Sequence, residues 1–356
     1  MNVIALLVVV GIVQSAFLAG IVVLLLANRS RASHRQAAHA TVSLALSGPV
    51  QAWLLGETSV RVVAEMLARL PADVALEQAI VISTSRAAAT QRAEFGAAIH
   101  DAPWVAAILK RARSRRWWRR LDAARLLAIV GTPRDRALLH RLLEDSHPAV
   151  HGLAAASISV VADLDAVALL LERLPERSPV VRLYQFSMLR ETWWLTTPAL
   201  LERLVPDADV AHLETWINLA ETIATADLLE RVCALHRHPA AGVRLAVARA
   251  VKRYFHPAAA EALLTLLSDD DWRVRAIAAR SLGTLGDEHA VPPIARALRD
   301  KSWWVRFRAG LALAQLGERG RAALREVRMG DDRYAAEMAT MVSGLSPGSV
   351  VELAEA

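Results

Sequence analysis

The sequence predicts an all-α chain: an α-solenoid of about seven 31-residue helical hairpins, preceded by one transmembrane helix and a small helical region. Three observations carry this reading. Self-comparison returns a period of 31 residues, clearest between DDWRVRAIAARSLGTLG (270–286) and KSWWVRFRAGLALAQLG (301–317). The chain opens on a long charge-free apolar run. Ala, Leu, Arg and Val dominate, aromatics are 5%, and the Gly and Pro residues fall between apolar stretches, which is the composition of helices rather than strands.

The first element is the span expected over residues 1–28. Val3 to Ala27 carry no charge over 25 residues, and a helix of that length runs roughly 37 Å, enough to cross a ~30 Å hydrocarbon core. Only Met1 and Asn2 precede the run, so it lacks the basic leader of a cleaved signal peptide. Arg29, Arg31 and Arg35 follow it. The positive-inside rule then predicts a single-pass protein of the inner (cytoplasmic) membrane, with its N-terminus outside and the solenoid in the cytoplasm.

Residues 29–113 are expected to form a helical linker, a cap or degenerate repeats. SVRVVAEMLARL (59–70), ADVALEQAIVIS (72–83) and APWVAAILKRA (102–112) have helical apolar spacing but fit the 31-residue register poorly.

The array is expected over 114–330. Stepping by 31 from Arg119 gives Val150, Val181, His212, Val243, Val274 and Val305. Eight residues beyond these lie Leu127, Ile158, Leu189, Ala220, Val251, Leu282 and Leu313, and Gly131, Gly286 and Gly317 stand where a first helix should stop. A second helix carries Leu139, Leu170, Leu201, Val232, Leu263 and Ile294, with Leu143, Leu174, Val205, His236, Leu267 and Leu298 four residues on. Neither helix can bury its apolar stripe alone, so successive hairpins must stack. Residues 331–356 are expected to give a C-terminal capping helix and a tail.

At these columns the chain resembles the HEAT-like repeats of phycobilin lyases and many bacterial scaffold proteins. The matching residues are Val181-Arg182, Val243-Arg244, Val274-Arg275 and Val305-Arg306, with an acid six before the Arg column at Asp145, Glu176, Asp207, Asp269 and Asp300. The resemblance implies an Arg–acid ladder between neighbouring repeats. His151 and Leu213 replace the Arg, and Ser114 and His238 replace the acid, so the ladder is expected to break near residues 207–240.

Little in the sequence points to catalysis, and no enzymatic activity, cofactor or metal is expected. Deoxyhypusine hydroxylase looks similar in architecture and holds its metal with His-Glu pairs, yet no His-Glu dipeptide occurs here. His147/His151 and His236/His238 have no acidic residue at ligand spacing, and the lone Cys233 has no companion base. Nothing specifies tetrapyrrole binding, and no phosphate loop or GxSxG elbow is present. A single cysteine also excludes an internal disulfide.

The most distinctive stretch is KRARSRRWWRR (110–120). Trp117 shares a repeat column with Trp272 and Trp303, Trp118 shares one with Trp304, and Trp193-Trp194 forms a further pair. Packing between repeats is one use for these residues. The other is an interaction surface of Arg115, Arg116, Trp117, Trp118, Arg119, Trp193, Trp194, Trp272, Trp303 and Trp304, because Trp and Arg are enriched at binding hot spots. The predicted function is a membrane-anchored protein–protein scaffold or adaptor on the cytoplasmic face, serving a membrane-associated enzyme, such as a glycosyltransferase, or a signalling complex. The alternative is a polyanion or nucleic-acid binder resembling the HEAT-like DNA glycosylases. The net charge of +6, with only three lysines among the 42 cations, permits either. The predicted anchor disfavours nucleic acid.

Overall fold

A computed structural model describes residues 41–355 except Arg86. Two compact units meet in sequence at Val160 and Val161.

The first unit opens with α1 (41–54), α2 (Val60–Ala68), α3 (Ala72–Ser83), α4 (Ala89–Ile99) and α5 (Pro103–Leu109). Ser59 starts α2 by accepting the amide hydrogen of Arg61, and Pro103 starts α5 at a position whose amide would have no helical partner. Their apolar faces converge on Trp53, Val63, Leu67, Phe95, Ile99 and Ile108, with the rings of Trp53 and Phe95 5.9 Å apart. Gly96 is needed where α4 crosses the next helix: a Cβ there would lie 2.1 Å from the Ile129 carbonyl oxygen.

The regular hairpins begin with α6 (Trp117–Val130), α7 (Arg136–Leu143), α8 (Pro148–Ala155) and the short α9 (Ile158–Val161). Leu126, Leu127, Leu139 and Val150 are fully buried, as the repeat columns require.

The second unit continues through α10 (Leu164–Arg173), α11 (Pro179–Glu191), α12 (Trp193–Arg203), α13 (Val210–Ile223), α14 (Ala226–Ala234), α15 (Ala241–Ala250) and α16 (Pro257–Leu266). It closes with α17 (Trp272–Leu285), α18 (Val291–Ala297), α19 (Trp303–Gln315), α20 (Gly317–Arg328), α21 (Arg333–Ser343) and α22 (Pro347–Glu355). Carboxylates begin several of these helices: Asp163, Asp209, Asp271 and Asp332 each accept an amide hydrogen from the first turn. Gly286 ends α17 in the left-handed region, at φ +74°. Val243, Val274 and Val305 are wholly buried, and so are Leu189, Ala220, Val251, Leu282 and Leu313. α17 and α19 pack closely because Gly283 has no side chain; a Cβ there would lie 2.7 Å from the Ala312 Cα.

The predicted columns shift in one stretch. Val181 is only half-buried and its neighbours Val180 and Leu183 are exposed. In α12 the buried residue is Leu200, not Leu201. α12 contains Pro198, and the hydroxyl of Thr196 donates back to the Leu189 carbonyl at 2.8 Å, so this hairpin is tied differently from the others.

The fold class expected from the sequence is corrected in one respect. Among the described residues no helix is long and apolar enough to cross a membrane. The longest named helices, such as α6, α13 and α17, have 14 residues, about 21 Å of rise against a ~30 Å hydrocarbon core. The span expected over residues 1–28 lies outside the described residues. What the structure supports is an all-helical repeat array that holds no membrane-crossing helix among the described residues, so the expected single-pass inner-membrane placement is not supported.

Candidate functional site

The expected ladder exists and fixes how the first helix of a repeat begins. Arg120 Nε and Nη2 fork onto the two oxygens of Asp145, at 2.5 and 2.9 Å. Arg244 does the same to Asp269 at 2.6 and 2.9 Å, and Arg275 to Asp300 at 2.7 and 2.9 Å. In each rung Nη1 donates to two carbonyls just before its own helix, as Arg275 does to Asp269 and Asp270 at 2.7 and 3.0 Å. Each acid also accepts an amide hydrogen two residues on, from His147, Asp271 or Ser302. Every rung therefore locks a helix start to its own incoming turn and to the turn of the next repeat. Burial alone would raise the Asp145, Asp269 and Asp300 carboxyls, but the guanidinium fork and the amide hydrogen outweigh it and hold all three below the ordinary carboxylate value.

Between these rungs the pattern changes. Leu213 has no charge to offer, and His238 replaces the acid. Nδ1 of His238 accepts the Ala240 amide hydrogen at 3.1 Å and its Nε2 donates to the Pro206 carbonyl at 3.1 Å. Among the described residues no ion pair joins Arg182 to Asp207.

At α6, α17 and α19 a ladder arginine holds the helix start, and these helices, like α12 where no such arginine stands, open on exposed indoles. Trp117 and Trp118 open α6, Trp193 and Trp194 open α12, Trp272 opens α17, and Trp303 and Trp304 open α19. All seven are about half exposed, from 40 to 51%. Consecutive residues lie about 100° apart around a helix, so each pair sets its rings edge to face: 87° at centroid distances of 6.2, 6.4 and 4.9 Å. Trp117 stacks on His147 at 4.0 Å and Trp303 on Phe307 at 5.0 Å, which stiffens one indole in two of the three pairs. The Arg116 guanidinium lies 5.6 Å from the Trp118 ring centroid.

The basic cluster divides. Arg120 is a ladder rung, and Arg111 pairs with Asp73 and Asp122 at 2.6 and 3.1 Å. Arg115, Arg116 and Arg119 are exposed. The first unit therefore brings Arg115, Arg116, Trp117, Trp118 and Arg119 together. In the second unit Trp303 and Trp304 meet each other and Phe307, Trp193 meets Trp194, and Trp272 stands beside Arg273. Sequence reasoning missed His147 and Phe307 as ring partners; Phe307 is signalled by its spacing of four from Trp303, on one helical face.

The remaining reactive side chains have structural roles. His147 accepts the Ala149 amide hydrogen at the start of α8, and His236 bonds the Cys233 carbonyl at 2.7 Å. Burial, aided by Glu261, pushes the Cys233 thiol up to about 11, which keeps it protonated near neutrality. Among the described residues no group of three or more His, Cys, Asp or Glu is placed to hold a metal ion.

Residues 260–342 match the family model described as HEAT repeats. The chain carries HEAT-like repeats. No curated protein sequence matches it. Among solved structures it is similar to human deoxyhypusine hydroxylase, at 16% identity and a TM-score of 0.31, covering 72% of this chain and 95% of that one. It is similar to the CpcE–CpcF complex of phycocyanin lyase from Nostoc sp. PCC7120, at 19% identity and a TM-score of 0.28, covering 76% and 94%. Kap121p shows 12% identity and a TM-score of 0.37, covering 77% of this chain and 41% of that chain. At these values none lends the HEAT-like chain an activity.

Proposed function

We propose that this protein is a protein-binding scaffold whose contact surface is formed by the exposed indoles at the helix starts. Arg115, Arg116 and Arg119 flank them in the first unit. The observation that carries the reading is the half-exposed, edge-to-face Trp pairs opening α6, α12 and α19. A stacked HEAT-like array gives such residues a stiff support. Covering the open half of one indole, roughly 100 Å², is worth about 2–3 kcal/mol, and stacking on His147 or Phe307 reduces the side-chain entropy lost on binding.

A nucleic-acid partner is less well served. Arg244 and Arg275 are committed to Asp269 and Asp300, and Arg273 to Asp271, so most cations around Trp272 are already neutralised. Phosphate recognition needs uncommitted cations.

The test is site-specific photo-crosslinking in the native cell, with the probe at position 118 or 304 and, as control, at the exposed Glu326. The expected result is protein adducts at 118 and at 304, absent at 326 and lost at each position when the neighbouring Trp117 or Trp303 is replaced by Ala. Equal adducts at all three positions, or nucleic acid as the adduct, would overturn the reading.

A further inference from the structure

Arg306 is the last arginine of the ladder column, and its surroundings differ from those of the three closed rungs. Its Nη1 donates to the Asp300 and Lys301 carbonyls at 2.8 and 3.3 Å, the same anchoring seen for Arg120, Arg244 and Arg275. The guanidinium is therefore held in the rung pose. In the closed rungs the Nε–Nη2 edge receives a carboxylate from the next repeat. At Arg306 the Nε is buried and meets no acceptor among the described residues. Asp331, which stands at the ladder's acid position, is exposed and makes no ion pair with Arg306 among the described residues.

A cavity of about 350 Å³ opens there, lined by Arg299, Asp300, Lys301, Arg306, Asp332 and Tyr334. Its two carboxylates are already engaged: Asp300 by Arg275 and the Ser302 amide, Asp332 by the Ala335 amide. Three cations, Arg299, Lys301 and Arg306, line it against the one carboxylate, Asp332, that no cation pairs among the described residues. The Tyr334 ring lies 5.3 Å from the Arg306 guanidinium carbon and walls the site from the side of α21.

We propose that this cavity is a carboxylate-binding site, in which two coplanar oxygens fork onto Nε and Nη2 of Arg306. The three closed rungs of the same molecule show the pose, and planar fork-on-fork recognition is what a guanidinium offers and an ammonium does not. The cavity is larger than one carboxylate needs, and Arg299 and Lys301 stand ready for a second. The ligand class is therefore a dicarboxylate, either a free small molecule or adjacent acidic side chains presented by a protein. The site is independent of the indole surface, and its failure would leave that reading intact.

The test is titration of the full-length protein with glutarate at constant ionic strength, following the arginine Nε–H resonances by NMR. One resonance should move and saturate in the millimolar range. The same resonance should be missing from Arg306→Lys, whose glutarate affinity, read by calorimetry, should fall at least tenfold. Tighter binding of a capped Gly-Asp-Asp-Gly peptide than of glutarate assigns the site to a protein-borne acid, and the reverse assigns it to a free dicarboxylate. Three outcomes overturn the proposal. They are the absence of a saturable shift with glutarate, an equal shift of the same resonance with inorganic phosphate, and glutarate binding by Asp331→Asn alone, which would show that Asp331 closes the rung itself.

Discussion

Replacing Arg275 by Ala tests whether the ladder holds the array together. Arg275 and Asp300 are 8% and 14% exposed at the side chain. Truncation leaves the Asp300 carboxylate without its partner and removes the donor to the Asp269 and Asp270 carbonyls. Removing one member of a buried pair costs about 3–5 kcal/mol. The low end applies here, because Asp300 keeps the Ser302 amide hydrogen at 2.8 Å and stands where water can reach it. The assay is urea unfolding followed by circular dichroism. With a slope of about 2 kcal/mol/M, a loss of about 3 kcal/mol lowers the midpoint by about 1.5 M. The control is Arg273→Ala, two residues away: Arg273 pairs with Asp271 but is 60% exposed at the side chain, and its loss should leave the midpoint unchanged. Adding Asp300→Asn to Arg275→Ala should recover part of the loss by removing the uncompensated charge. Equal midpoints for the Arg275 and Arg273 variants would refute the ladder's structural role.

Other expectations follow from the same structure. The Asp145, Asp269 and Asp300 carboxyls are held below their unfolded value, so the stability they confer is fully present above about pH 4 and is lost as pH falls through the lower folded values; an unfolding midpoint that stays constant from pH 5 down to pH 2 would contradict this. Gly283→Ala should destabilise the protein by about 1–3 kcal/mol, because the new Cβ meets the Ala312 Cα at 2.7 Å, which cannot swing aside as the Gln315 side chain beside it can; an unchanged thermal midpoint would show that α17 and α19 can separate at no cost. Cys233, half-buried and with its thiol pushed up to about 11, should alkylate slowly at pH 8 in the folded protein and faster in urea; stoichiometric labelling within minutes without denaturant would refute the raised thiol.

What the sequence made legible is what repeats. A 31-residue column averages over seven occurrences, so Val243, Val274 and Val305 stand out as core even though a single valine says little. The Arg and acid columns were legible for the same reason, and the rungs at Arg120, Arg244 and Arg275 follow them. Positions that depart from the average were not legible. Leu200 takes the place expected for Leu201 because Pro198 and the Thr196 hydroxyl belong to that hairpin alone. His147 stacks on Trp117 from thirty positions away, and Tyr334, which continues the column of Trp272 and Trp303, lies over Arg306, a contact the column average does not announce.

The same distinction separates structure from surface in the stretch 110–120. Read as sequence, its cations are equivalent, and either packing or binding could account for all of them. In the folded chain Arg120 has its charge neutralised by Asp145, and Arg111 is shared between Asp73 and Asp122. Arg115, Arg116 and Arg119 stay exposed beside the two indoles. What separates them is commitment rather than column: Arg120 and Arg111 are held by carboxylates, whereas Arg115, Arg116 and Arg119 stand exposed. Changing Arg115, Arg116 and Arg119 together to Ala should therefore leave the cooperative thermal transition in place while weakening partner adducts at position 118. Arg120→Ala should do the reverse, lowering the transition by breaking a rung whose Asp145 carboxylate is only 6% exposed. If the triple variant unfolds and Arg120→Ala does not, the assignment of roles within the cluster is inverted.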